Sequence, residues 1–169
     1  MVSMKSHDEK ILTRIRVLTS VFIVCLLVSG ITAFPLFWET GCLVRWFGAD
    51  TPIGNQFPAL AGWLSRVHEG IGYNAAHYPF MAYGTDWLAF AHIVIAVFFI
   101  GVAIDPVRNM WIVTSGMIAC VFVPVLAFVC GSVRGIPFFW RLIDSSFGIV
   151  GIVPLIFIYR WTRQCSADD

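Results

Sequence analysis

Four apolar runs decide what this chain can become. Val17–Trp38 covers 22 residues without a charge; Trp87–Ile104 has 18 residues, Trp111–Cys130 has 20 and Leu142–Tyr159 has 18. As α-helices these runs are about 27–33 Å long, which matches the hydrocarbon core of a bilayer at roughly 30 Å. In lipid a helix satisfies every backbone N–H and C=O within its own segment. A β-barrel would need short alternating segments, and the sequence has none. Only 12% of the residues are charged, about half the share of a soluble domain. Soluble, disordered, collagen-like and coiled-coil classes are thereby excluded, and a net charge of +1 without a long basic stretch argues against a nucleic-acid partner.

The expected fold is therefore an all-α integral membrane protein, one membrane domain over residues 1–169. It comprises a bundle of four transmembrane helices, 17–38, 87–104, 111–130 and 142–159. An outer-face cap over 39–86, containing a short amphipathic interfacial helix, separates the first two. With the N-terminus inside, Lys5, Lys10, Arg14, Arg16, Arg108, Arg160 and Arg163 lie on the cytoplasmic side, and Arg45, Arg66, Arg134 and Arg141 on the outer side. Seven basic residues against four predict both termini inside. A cell membrane is expected, by default a bacterial inner membrane. Ile31-Thr32-Ala33 imitates a signal-peptide cleavage site, but the run continues through Phe34-Pro35-Leu36-Phe37-Trp38, so an uncleaved anchor is expected. The C-terminal Cys165-Ser-Ala-Asp-Asp is one residue too long for a prenylation box.

Proline and glycine punctuate the runs. Pro35, Pro124 and Pro154 each remove a backbone donor and predict kinks. Gly148 and Gly151, with Ser145 and Ser146, give the fourth helix a small face for close packing. Asp105-Pro-Val-Arg108-Asn reads as a tight structural turn. The 48 residues between the first two spans exceed what a connection needs. Within them, Asp50–Pro58 reads as a turn-rich loop. Leu60, Trp63, Leu64, Val67 and Ile71 then recur at helical spacing, predicting the interfacial helix, with Arg66 and Glu69 towards water and Gly70 and Gly72 ending it. Trp38, Trp46, Trp63, Trp87 and Trp140 fall near the outer boundary, as an aromatic belt requires.

The ionisable residues gather at that same boundary. Glu39, Arg66, His68, Glu69, His77, Asp86, His92, Arg134, Arg141 and Asp144 all fall there, and ionisable groups within a span are rare and point to function. The leading expectation is a non-catalytic, outward-facing pocket for an amphiphile of lipid or quinone type, or for a partner membrane subunit. Arg134 and Arg141 would anchor an anion through their planar guanidinium forks, and Phe138, Phe139 and Trp140 would supply apolar surface. His92 and Asp144 would be buried polar contacts, Asp144 paired with Arg141 three residues earlier, with His77 and Asp86 at the mouth. The same residues also describe snorkelling anchors and helix bridges.

Two alternatives compete. His77 and His92 have the right chemistry for a haem or metal ion, although their spacing matches no tight metal motif and no Cys-x-x-Cys-His is present. A membrane hydrolase would draw a general base from His68, Glu69, His77 and Asp86, without any accompanying nucleophile or phosphate-binding motif. Cys25, Cys42, Cys120, Cys130 and Cys165 include no Cys-x-x-Cys, which argues against a thiol oxidoreductase. Cys42 and Cys130 fall near the outer boundary, where a structural disulfide is chemically permitted.

Overall fold

A computed structural model describes the backbone of residues 2–167 and the side chains of residues 9–165. The side chain of Lys5 and the terminal Asp168-Asp169 lie outside the described residues. Among the described residues the structure is all helical. Its elements are α1 (Val2–Ala33), α2 (Leu36–Phe47), α3 (Pro52–Gln56), α4 (Pro58–His77), a 3₁₀ turn (Pro79–Ala82), α5 (Tyr83–Ile104), α6 (Met110–Val133) and α7 (Phe138–Ala167). Four helical stretches are long and apolar enough to cross a membrane: Glu9–Ala33, Pro79–Ile104, Met110–Val133 and Phe138–Cys165.

Exposure along these helices fits lipid rather than water. Val17, Val21, Val24, Val28 and Ile31 form one exposed stripe of α1. Val121, Phe122, Val125, Leu126 and Val129 form another on α6. Apolar surface this continuous is a liability in a soluble monomer and the ordinary outer face of a membrane helix. The chain is a multi-pass membrane protein.

Two compact units emerge, α1 up to Cys25 with the chain from Ile95 onward, and Leu26–Val94. The first has its core where Ile11, Ile15 and Thr19 of α1 are buried, with Ala96, Phe99 and Val102 of α5 and Leu155 and Ile158 of α7. Phe99 packs on Phe22, ring centroids 4.7 Å apart. A side chain at Gly116 would meet the rings and methyls of Phe99 and Leu155 at 3.0 Å. The backbones of α6 and α7 come close at Gly148, where a Cβ would collide with the Cys120 carbonyl oxygen and stand 2.9 Å from Val123. That carbonyl would ordinarily accept from residue 124, which is proline and has no N–H. Gly148 and Gly151 of the small face expected on the fourth helix are thus set against the proline-interrupted part of α6, with Ser145 buried and Ser146 exposed.

The connections of this unit are built from local chemistry. After α5, Asn109 Nδ2 donates to the carbonyls of Gly101 and Asp105, each at 2.9 Å. The Arg108 amide donates to Asp105 Oδ1 at 3.0 Å. Arg16 Nε donates to the Ala103 carbonyl at 3.2 Å and so satisfies the end of α5. After α6, the amide of Ile136 donates to the carbonyl of Gly131 and that of Gly135 to Ser132, with Gly135 at φ +69°. That pattern is a Schellman C-cap, which favours glycine in the left-handed position.

Leu26–Val94 departs from expectation in four places. The first span ends at Ala33 rather than Trp38, because Pro35 supplies no amide to continue the ladder, and α2 starts anew at Leu36. The loop predicted over Asp50–Pro58 contains α3, capped where the Gly54 amide donates to Thr51 Oγ1 at 3.0 Å. Gly70 and Gly72 do not end the amphipathic helix, since α4 continues to His77. At Gly72 the missing side chain makes room for Phe37, whose ring edge would lie 3.0 Å from a Cβ there; packing outweighs propensity. The second span starts before Trp87: α5 itself begins at Tyr83, and the apolar helical stretch at Pro79. Arg66 and Glu69 are exposed, as expected.

Candidate functional site

The break at Pro35 turns Phe34–Trp38 into one wall of a cavity of about 440 Å³. The facing wall comes from α4, where Ile71, Asn74, Ala75 and Tyr78 recur at helical spacing. Met81, Ala82, Thr85 and Asp86, running into the first turn of α5, close it. A second cavity of about 320 Å³ adjoins it, lined by Phe34, Tyr83, Asp86, Trp87 and Phe90. Phe34 and Asp86 belong to both. On α5 the lining residues 83, 86, 87 and 90 share one face. Tyr83, Trp87 and Phe90 form a ladder of edge-to-face rings, with successive centroids 5.9 Å apart.

The polar content of this site is sparse and unspent. Asn74, Tyr78, Thr85 and Asp86 make no side-chain hydrogen bond or ion pair to another described residue. Asp86 is half-buried and is the one ionisable carboxyl group lining either cavity; no Lys, Arg or His lines them. Asp86 falls in the first turn of α5, where the helix dipole favours a negative charge.

Beside the cavity, α4 is fastened to α2. His68 Nδ1 lies 3.0 Å from Thr40 Oγ1. The Thr40 hydroxyl spends its single proton on the Leu36 carbonyl, 2.9 Å away. Oγ1 therefore accepts from His68 Nδ1–H. The imidazole also stacks on Phe37, centroids 4.7 Å apart at 16°, and Gly41 leaves room for it, a Cβ there standing 3.3 Å from Cε1.

Of the residues expected to form the site, only Asp86 lines either of these two cavities. His77 is exposed, stacked on Tyr73 at 4.0 Å, with Nδ1 donating to the Tyr73 carbonyl at 2.9 Å. His92 is half-buried, and its Nδ1 donates to the Leu88 carbonyl at 2.8 Å. Its Cβ packs where Gly30 of α1 comes close, 3.1 Å from the position of a Gly30 Cβ. Both histidines thus spend one nitrogen on their own helix. Among the described residues no group of three or more histidine, cysteine or carboxylate side chains is placed to hold a metal ion. No hydrogen bond or ion pair joins any two of His68, Glu69, His77 and Asp86, so the hydrolase constellation does not assemble.

Arg134, Trp140, Arg141 and Asp144 lie in the other unit. Arg134 is the exposed C-cap of α6. Arg141 does not pair with Asp144: its Nη1 donates to Ser132 Oγ at 2.6 Å and its guanidinium carbon sits 5.7 Å from the Phe138 ring centre. The stem of Arg141 fills the space that glycine leaves at position 131. Among the described residues the one ion pair is Arg108–Asp105, at 3.5 Å. Trp140 and Asp144 are half-buried. Cys42 and Cys130 are free thiols.

Sequence reasoning missed Phe34, Phe37, Trp38, Asn74, Tyr78 and Thr85. Their signal was present in two stretches at helical spacing, 71–78 and 83–90, and in the proline that brings residues 34–38 against them. No family model, curated protein or solved structure matches this chain.

Proposed function

We propose that this multi-pass membrane protein is a non-catalytic binder whose 34–86 segment, on the outer side of the membrane, receives an amphiphilic molecule. The observation that carries this reading is the paired cavity, apolar on most sides and lined by four polar side chains that hydrogen-bond no other described residue. Ligand sites are mostly apolar concavities of about 300–1,000 Å³ with a few polar groups that fix orientation. The outward placement rests on the basic residues, seven on the inner side and four on the outer. In this topology the membrane domain is a four-helix bundle and α2–α4 form its outer cap.

The test is native mass spectrometry of the protein purified in maltoside and exposed to a total lipid extract. One retained amphiphile per chain is expected. Ala75→Phe, which fills the cavity from an exposed position, should abolish retention without lowering the melting temperature. Equal retention by the filled variant, or none by the parent, overturns the reading.

A further inference from the structure

We infer that the amphiphile carries an ammonium head, held at Asp86, and lays its chain along Trp87 and Phe90; this rests on the binding reading above. Charge complementarity decides the head. One carboxylate and no cation line the two cavities. An anionic head would meet Asp86 with no cation beside it, and like charges in close contact repel. The rings of Phe34, Phe37, Trp38 and Tyr78 line the same space as that carboxylate. Aromatic faces attract ammonium groups, most strongly once water is excluded, and cages of such rings recognise quaternary amines.

The shape decides the chain. Asp86 and Phe34 stand where the two cavities meet. From that junction the second cavity follows Trp87, the next residue, and Phe90, one turn further along α5. A head at Asp86 therefore has a polar and aromatic chamber on one side, with Asn74, Tyr78 and Thr85 to hydrogen-bond it, and an apolar aromatic groove on the other. This polarity is the opposite of an anion site built on Arg134 and Arg141, neither of which lines either cavity.

The experiment uses two probes with one brominated alkyl chain, an alkyltrimethylammonium and an alkyl sulfonate, added to the protein in maltoside micelles. Bromine quenches indole fluorescence at short range, and Trp38 and Trp87 line the cavities. Saturable quenching by the ammonium probe is expected, with the sulfonate at least tenfold weaker. Asp86→Asn should weaken the ammonium probe tenfold or more while Asp86→Glu keeps most of the affinity, and Trp87→Phe should lower the quenching amplitude. If the sulfonate binds as tightly as the ammonium, or Asp86→Asn changes nothing, the ammonium inference falls although the amphiphile site stands. The comparison of two probes on the unaltered chain holds even if the Asp86 variants fail to fold. If neither probe quenches saturably and no amphiphile is retained in the mass spectrometer, the binding reading itself has failed.

Discussion

His68 on α4 and Thr40 on α2 meet through one hydrogen bond of 3.0 Å, Nδ1 to Oγ1, and that contact stands next to Phe37, which both stacks on His68 and lines the larger cavity. The position of the cavity wall is thereby tied to a side-chain pair that does not itself line the cavity. Thr40 is buried, and its hydroxyl relays the contact to the Leu36 carbonyl at the helix start.

Thr40→Val keeps the shape of the side chain but strands the imidazole N–H, which costs about 1–3 kcal/mol for a polar group left unsatisfied. Thr40→Ser restores the hydroxyl and should recover most of that loss. Thermal unfolding in detergent micelles measures both. Equal destabilisation by the two variants would show that the methyl group, not the hydrogen bond, holds α2 to α4.

The spans were legible in the sequence because hydropathy is a local property of consecutive residues, and 17–38, 87–104, 111–130 and 142–159 each contain most of an observed span. The cavity was not. Phe34 and Asp86 are 52 positions apart, and only the break at Pro35 and the uninterrupted run of α4 through Gly70 and Gly72 bring their surroundings together. The Arg134–Asp144 stretch has local roles that its composition does not reveal. Its glycine, proline and arginines read as a ligand motif; in the structure Gly135 also serves a helix cap and Arg141 also bonds across the α6–α7 corner.

Gly148 and Gly151 are one turn apart on α7 and should differ sharply. A Cβ at Gly148 collides with backbone at Cys120, which cannot yield without moving α6, whereas one at Gly151 meets only the Cys120 sulfur at 3.3 Å. Gly148→Ala is therefore expected to cost about 1–3 kcal/mol through overpacking, and Gly151→Ala less than half as much. Resistance to unfolding by denaturing detergent checks the order, and reversed values would displace the close crossing from Gly148.

Arg141→Ala should destabilise the α6–α7 corner while Arg134→Ala does not. The first change removes the bond to Ser132, the contact with Phe138 and the stem packed against Gly131; a hydrogen bond to a charged group alone contributes about 1.5–3 kcal/mol. Arg134 is exposed, and its backbone, not its side chain, makes the cap. Limited proteolysis between α6 and α7 reports the difference. Neither variant should change ammonium-probe affinity; a large loss with either would return the arginines to the site.

Asn109 controls the turn between α5 and α6, and its variants separate two kinds of stabilisation there. One amide nitrogen joins the carbonyls of Gly101 and Asp105. Asn109→Ala loses both bonds, but carbonyls at a helix end near the membrane surface recover water, so the cost is about 1–2 kcal/mol. Asn109→Asp is nearly the same size yet offers only acceptors, placing a carboxylate oxygen against two carbonyl oxygens. It should destabilise more than alanine does. The neighbouring Arg108–Asp105 pair has side chains 88% and 40% exposed, and exposed ion pairs contribute little. Arg108→Ala should therefore leave the melting temperature close to that of the parent. If Asn109→Asp proves milder than Asn109→Ala, the side chain is solvated rather than bonded to the end of α5, and the turn is held by Asp105 and its bond to the Arg108 amide instead.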